Sequence, residues 1–99
     1  MQITESREKN GIVLFVSGRV DTTSCGQLQN EIFRALKMKK FLMLDFSDVF
    51  SIDEEGVKVL QGGISLAASK GGSMELRNAG NAVKNTLDIA GLSKILTVK

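Results

Sequence analysis

The sequence predicts an α/β fold: a mixed, mostly parallel sheet whose first strand runs antiparallel, with about three to four helices. Three observations carry that expectation. Short apolar or β-branched runs alternate with amphipathic stretches in the order β-β-α-β-α-β-α-β. Asn10-Gly11 joins the first two strand-like segments as a tight hairpin, which makes that pair antiparallel. Each later strand-like segment follows a helix-like one, and such crossovers join parallel neighbours in a right-handed sense. At 99 residues, the chain is expected to form one domain, residues 1–99, around a single modest core.

Each element has its own warrant. Gln2 to Glu8 alternates weakly and predicts a polar edge strand. Ile12-Val13-Leu14-Phe15-Val16 is a continuous apolar run, suited to burial on both faces, with Gly18 and Asp21 marking the turn after it. From about Thr23 to Lys37, Cys25, Leu28, Ile32, Ala35 and Leu36 recur at helical spacing, with Thr22, Thr23 and Ser24 as candidate caps. Phe41 to Phe46 predicts the next strand. A helix then begins near Gly56 and runs to about Ser69, with Val57, Leu60, Ile64, Ala67 and Ala68 as its core stripe. Val59 and Leu66 lie off that stripe, and Gly62-Gly63 interrupts the helix at about 1 kcal/mol per glycine relative to alanine; a helix more buried than usual with tolerable glycines explains this, as does close packing on the sheet or on a partner. Lys70-Gly71-Gly72 ends it with glycines suited to left-handed backbone. Met74 to Arg77 is a short strand. Asn81 to about Ala90 is a last helix burying Val83, Leu87 and Ala90 and stopped by Gly91, and Ile95 to Val98 closes the sheet.

Composition removes several classes of function. The chain has no histidine, which takes away the usual general base, the Ser-His and Cys-His pairs and the commonest metal ligand. One cysteine, Cys25, allows no internal disulfide and fits a reducing compartment; its place on the first helix's stripe makes it a small core residue. Met43 and Met74 read as core filling. No metal site, cofactor or phosphate-cradling loop is spelled out. Net charge is only +2, and Arg34, Lys37, Lys39 and Lys40 close a helix, where cations complement its dipole. With no Trp or Tyr among them, no nucleic-acid surface is expected. No apolar run approaches the ~20 residues of a membrane span, and no leader pattern opens the chain, so a cytoplasmic protein without membrane insertion is expected.

The candidate site is the run Ser51-Ile52-Asp53-Glu54-Glu55-Gly56, where a strand hands over to a helix. A helix start gathers unpaired N–H groups and the positive end of the macrodipole, so it suits anions. Ser51-Ile52-Asp53-Glu54 fits a capping box with Ser51 as N-cap, and Asp53 is a competing N-cap. Consecutive acids on a helix point about 100° apart and do not converge on one atom, which argues against an enzyme. Lys58 stands at i,i+4 from Glu54 and predicts a surface pair with it. Asp21, Thr22 and Thr23 are expected beside this corner, at the end of a neighbouring parallel strand, where open α/β sheets place their functional crevice. Helix capping and a simple turn explain these three equally well.

Five segments, in order, resemble the STAS family of anti-anti-sigma factors, or anti-sigma factor antagonists, and their relatives, over nearly the whole length. Val16-Ser17-Gly18-Arg19-Val20-Asp21 resembles the family's strand followed by G-x-[LV]-D, and Leu42 to Val49 its central strand and polar turn. Ile52-Asp53-Glu54-Glu55-Gly56-Val57-Lys58-Val59-Leu60 resembles the D-S-S-G-L-x-x-L segment. Gly71 to Leu76 and Val83 to Leu92 resemble the glycine-led strand and the closing helix with its G-L ending. The resemblance implies a protein-binding domain in a bacterial partner-switching circuit that regulates transcription. In members that antagonise anti-sigma factors, the first serine of D-S-S-G is phosphorylated, and it maps onto Glu54, the second onto Glu55. A phosphoserine carries about −1.5 to −2 charge and three acceptor oxygens; Glu54 supplies one fixed charge that no serine kinase can switch.

The implied partners are an anti-sigma factor or serine-kinase-like ATPase, a phosphatase, or another STAS protein. Two alternatives stand beside that reading: a subunit or accessory of a transporter complex, and a module for a small anion or nucleotide, for which only Arg19 and Lys58 are candidate cations. Thr22, Thr23 and Ser51 are the nearby hydroxyls open to phosphorylation.

Overall fold

A computed structural model describes residues 1–92 and the backbone of residues 97–98. The elements run β1 (Gln2–Arg7), β2 (Ile12–Val20), α1 (Cys25–Met38), β3 (Phe41–Ile52), α2 (Glu54–Ser69), β4 (Ser73–Arg77), α3 (Asn81–Ile89) and β5 (Thr97–Val98). The strand order is β1-β2-β3-β4-β5, with β1 antiparallel to β2 and every other pair parallel. Sequential parallel strands with right-handed crossovers place all their helices on one face. The core agrees: Ile12, Leu14 and Val16 of β2, Leu42, Leu44 and Phe46 of β3, and Met74 and Leu76 of β4 share one cluster with residues of all three helices. The opposite parity, including Phe15, Met43, Asp45 and Arg77, lies on the face the helices leave uncovered.

Several boundaries differ from the sequence expectation, for identifiable reasons. β2 does not stop at Val16 but runs to Val20, because Gly18 takes φ +104 and absorbs a register shift inside the strand instead of turning it. β3 correspondingly continues from Phe46 to Ile52, paired with that extension through Gly18↔Val49 and Val20↔Ile52. Phe15 is half-exposed, so β2 is not buried on both faces throughout. α1 begins at Cys25, not Thr23, because Asp21 draws the two preceding residues into a turn.

On α2 the buried set is Gly56, Val57, Val59, Leu60, Gly63 and Ala67. Ile64 is only partly buried and Ala68 exposed, so the stripe is rotated toward Val59. Gly63 faces inward: a β-carbon there would sit 2.7 Å from Met74 Sδ. Gly62 faces open space. Gly71 at φ +75 and Gly72 close α2, their N–H groups reaching the Ala68 and Ala67 carbonyls at 3.0 and 2.9 Å, a Schellman motif. On α3, Val83 and Leu87 are buried, but Ala90 is the exposed C-cap. Met43 sits half-buried on the uncovered face, unlike Met74, and Cys25 is only partly buried at the core's rim. Of the expected closing strand, residues 95–96 lie outside the described residues. Among the described residues no helix is long and apolar enough to cross a membrane.

Candidate functional site

The ends of β2 and β3 lie side by side, and Asp53 stitches them to α2. Its N–H donates to the Val20 carbonyl at 3.0 Å. Its Oδ1 accepts the Gly56 N–H at 3.0 Å, and its Oδ2 accepts the Thr22 N–H at 3.2 Å. Asp53 is therefore the N-cap, and the capping box expected at Ser51 and Glu54 is not formed. Ser51 belongs to β3, opposite Arg19, so its backbone cannot open a helix. Gly56 is required by close approach. A β-carbon there would fall 2.7 Å from Val20 Cγ1 and Ile52 Cγ1, and 3.0 Å from the Val20 carbonyl oxygen.

Glu54 and Glu55 occupy the first turn of α2, and both are exposed. Lys58 Nζ lies 3.3 Å from Glu55 Oε1, not beside Glu54, so the expected Glu54–Lys58 pair is replaced by an i,i+3 pair. Among the described residues Glu54 makes no ion pair or side-chain hydrogen bond. Its carboxylate is displayed to solvent above N–H groups whose dipole favours it.

The neighbouring loop is held from within. Asp21 Oδ1 accepts the Thr23 hydroxyl at 2.7 Å, the Thr23 N–H at 3.0 Å and the Ser24 hydroxyl at 3.3 Å. The Thr23 hydroxyl is the main reason the Asp21 carboxyl lies below the usual carboxylate range. Ser24 occupies the N-cap position of α1 without a side-chain capping bond. Its hydroxyl donates to the Arg19 carbonyl at 2.6 Å instead. Thr22 and Thr23 are exposed beside Asp53, and the Cys25 thiol faces the Thr22 carbonyl at 3.7 Å. Thus Asp21, Thr22 and Thr23 do come together with Asp53 and Gly56, but as one hydrogen-bonded turn.

Two features escaped the sequence reading. Phe50 is 74% exposed on the β3 extension that leads into the acidic turn. It was illegible while β3 was expected to end at Phe46. Asp45 is the second: it is 5% exposed, on the sheet face without helices. Its Oδ2 accepts from Arg77 Nε at 2.8 Å and Asn78 Nδ2 at 3.0 Å, and its Oδ1 from the Ser47 hydroxyl and N–H at 2.7 and 3.0 Å. Burial pushes its carboxyl up, but the Ser47 N–H, the Arg77 guanidinium and the other donors outweigh this and hold it down at about 2. Asn78 adopts left-handed backbone, φ 61, to reach it.

Comparison with known proteins adds the following. A family model described as the STAS domain matches residues 4–99. An anti-sigma F factor antagonist of Paenibacillus polymyxa is 23% identical over 100 residues, spanning 99% of this chain and 86% of that protein. The structure of the anti-sigma factor antagonist SpoIIAA in its unphosphorylated form superposes with TM-score 0.84 at 17% identity, covering 99% of this chain and 88% of that one. A serine-to-glutamate variant of RsbS from Moorella thermoacetica superposes with TM-score 0.79 at 22% identity, covering 100% and 86%.

Proposed function

This chain belongs to the STAS domain family, and from that premise we propose that it regulates transcription as an anti-sigma factor antagonist, or a close regulatory relative, by binding another protein at the start of α2. Exposed Glu54 is the observation that carries the reading. It stands on a helix start fixed by three hydrogen bonds of Asp53 and is free of intramolecular partners among the described residues, and the resemblance of Ile52 to Leu60 to the family's D-S-S-G segment maps it onto the phosphorylated serine. The likeness to an anti-sigma F factor antagonist supports the same direction.

The contact comprises Asp53, Glu54, Glu55 and Gly56 with Lys58, flanked by Asp21, Thr22 and Thr23. Asp53, Asp21 and Gly56 shape it, whereas Glu54, Glu55 and the two threonines present groups to a partner. Glu54 holds one negative charge where a phosphorylation cycle would add and remove about two. The chain therefore works as a constitutive member of its circuit. Partners that accept an anion at this point fit best: a phosphatase, another STAS protein, or an anti-sigma factor or kinase-like ATPase adapted to it.

Co-purification from the native cell, followed by titration of the captured partner, tests the proposal. Glu54→Arg reverses the displayed charge and should weaken the complex about tenfold or more, while the circular dichroism spectrum stays that of the wild type. Unchanged affinity for Glu54→Arg would remove the corner as the contact.

A further inference from the structure

The opposite end of the molecule is built as the complement of this corner. There the β1–β2 hairpin, the start of β3 and the α2–β4 connection converge backbone to backbone. A β-carbon on Gly11 would lie 2.5 Å from the Phe41 carbonyl oxygen, and one on Gly72 would overlap the Lys40 carbonyl. These approaches fix the walls of a groove of about 490 Å³ on the sheet face that carries no helix. Val13, Phe41 and Met43 supply its apolar lining, and Phe41 is 42% exposed in it.

Charge divides along the strands in the same sense. Parallel β-α units put helix starts at one end and helix ends at the other, so the dipoles of α1 and α2 add. Exposed acids gather at the start of α2: Asp48, Glu54 and Glu55 lie within five residues of Phe50 in the chain, and they outnumber the two cations there, Lys58, which pairs with Glu55, and Arg19, which stands opposite Ser51. The cations follow the ends: Lys39 and Lys70 are the C-caps of α1 and α2, Lys9 lines the groove, and Lys40 Nζ lies 5.5 Å from the Phe41 ring centroid. Glu8 and Glu75 are the acids in the groove wall, and Glu75 is itself engaged within the chain. An exposed aromatic in an acid-rich stretch thus sits at one end, and an apolar recess with lysines beside it at the other.

We propose that a second copy of this chain is the occupant of the groove: Phe50 of one molecule seats over Val13, Phe41 and Met43 of the next, with Asp48, Glu54 and Glu55 facing its lysines. Two molecules of this polarity attract end to end, whereas a symmetric pairing of corner with corner opposes like charges. A buried aromatic anchor with a charged rim is the common anatomy of a specific contact. The contact is heterologous, so it propagates as an open chain unless the rotation closes it. It also covers the surface assigned to the partner above, so assembly and partner binding exclude each other. The inference shares that surface but needs no partner protein to be tested.

Sedimentation velocity of the purified full chain, from micromolar to millimolar concentration at low and high salt, should show assembly that continues past the dimer and weakens with salt. Phe50→Ser and Lys40→Glu, both at exposed positions, should each weaken association about tenfold or more. Mixed in equal amounts, they should form a heterodimer and nothing larger, since one retains the groove and the other the corner. Lys9→Glu replaces Lys40→Glu if the latter misfolds. Monomeric sedimentation at millimolar concentration overturns the inference, even if the groove takes up an apolar dye. So does association that survives Phe50→Ser, or a pair of weakened variants that mixing does not restore.

Discussion

The Asp53 carboxylate reaches across 31 residues of sequence to hold the Thr22 N–H at 3.2 Å, while its other oxygen caps α2 at the Gly56 N–H, 3.0 Å away. One side chain therefore orients both the helix start and the loop beside it. Asp53→Ala should cost about 1–2 kcal/mol in urea unfolding, the upper part of the capping range, because two donors lose their acceptor. Amide exchange at Thr22 should accelerate in the same variant. A serine, with a single oxygen, should recover only the cap.

The glycines of α2 make a paired test of packing against propensity. Gly56→Ala places a methyl 2.7 Å from two buried side chains and 3.0 Å from a backbone oxygen, and should destabilise by about 1–3 kcal/mol. Gly62→Ala meets nothing within 4 Å and should stabilise by about 0.5–1 kcal/mol. Urea midpoints that move in the same direction for both would show that the helix does not sit as described.

Asp45 sets a pH dependence. Its folded-state pKa is depressed to about 2 from an ordinary 3.8. The group's contribution is therefore complete above the unfolded value, and it is lost as pH falls from about 4 through 2. That contribution is on the order of 2 kcal/mol by the size of the shift. Unfolding free energy followed over that range should fall less steeply in Asp45→Asn, which is also less stable at neutral pH because Arg77 loses its counter-charge.

Glu54→Ser restores a hydroxyl at an exposed helix start. A serine kinase from a partner-switching circuit should phosphorylate that variant at position 54, and leave position 54 of the wild type without phosphate, by intact-mass analysis and peptide mapping. Partner affinity should then become dependent on ATP in the variant alone.

How much of this could be read in advance depended on range. The fold was legible because its signals are local. Ile12 to Val16 is a β-branched run, Leu28, Ile32, Ala35 and Leu36 keep helical spacing, and Asn10-Gly11 and Gly71-Gly72 punctuate them. The length of β3 was not, because Ser47, Asp48 and Ser51 look like a loop, and the strand is carried past them by the pairing of Asp48 to Ile52 with Ser17 to Val20 of β2. The choice between Ser51 and Asp53 as cap followed from that same extension. Asp45 depends on Arg77 and Asn78, 32 and 33 residues away, a separation that no local pattern spans. Glu54 and Glu55 were found because charge at a helix start is local, whereas Phe50 needed the full course of its strand.

The tie between Asp53 and the β2 end has a mechanical consequence. With its N–H on Val20 and its carboxylate on Thr22, the start of α2 is not a hinged arm but part of one stiff plate with residues 20–22. A molecule that grips Glu54 and pulls transmits that load directly into the central pair of strands. Force at this point is thus borne by the core and not dissipated in a yielding loop.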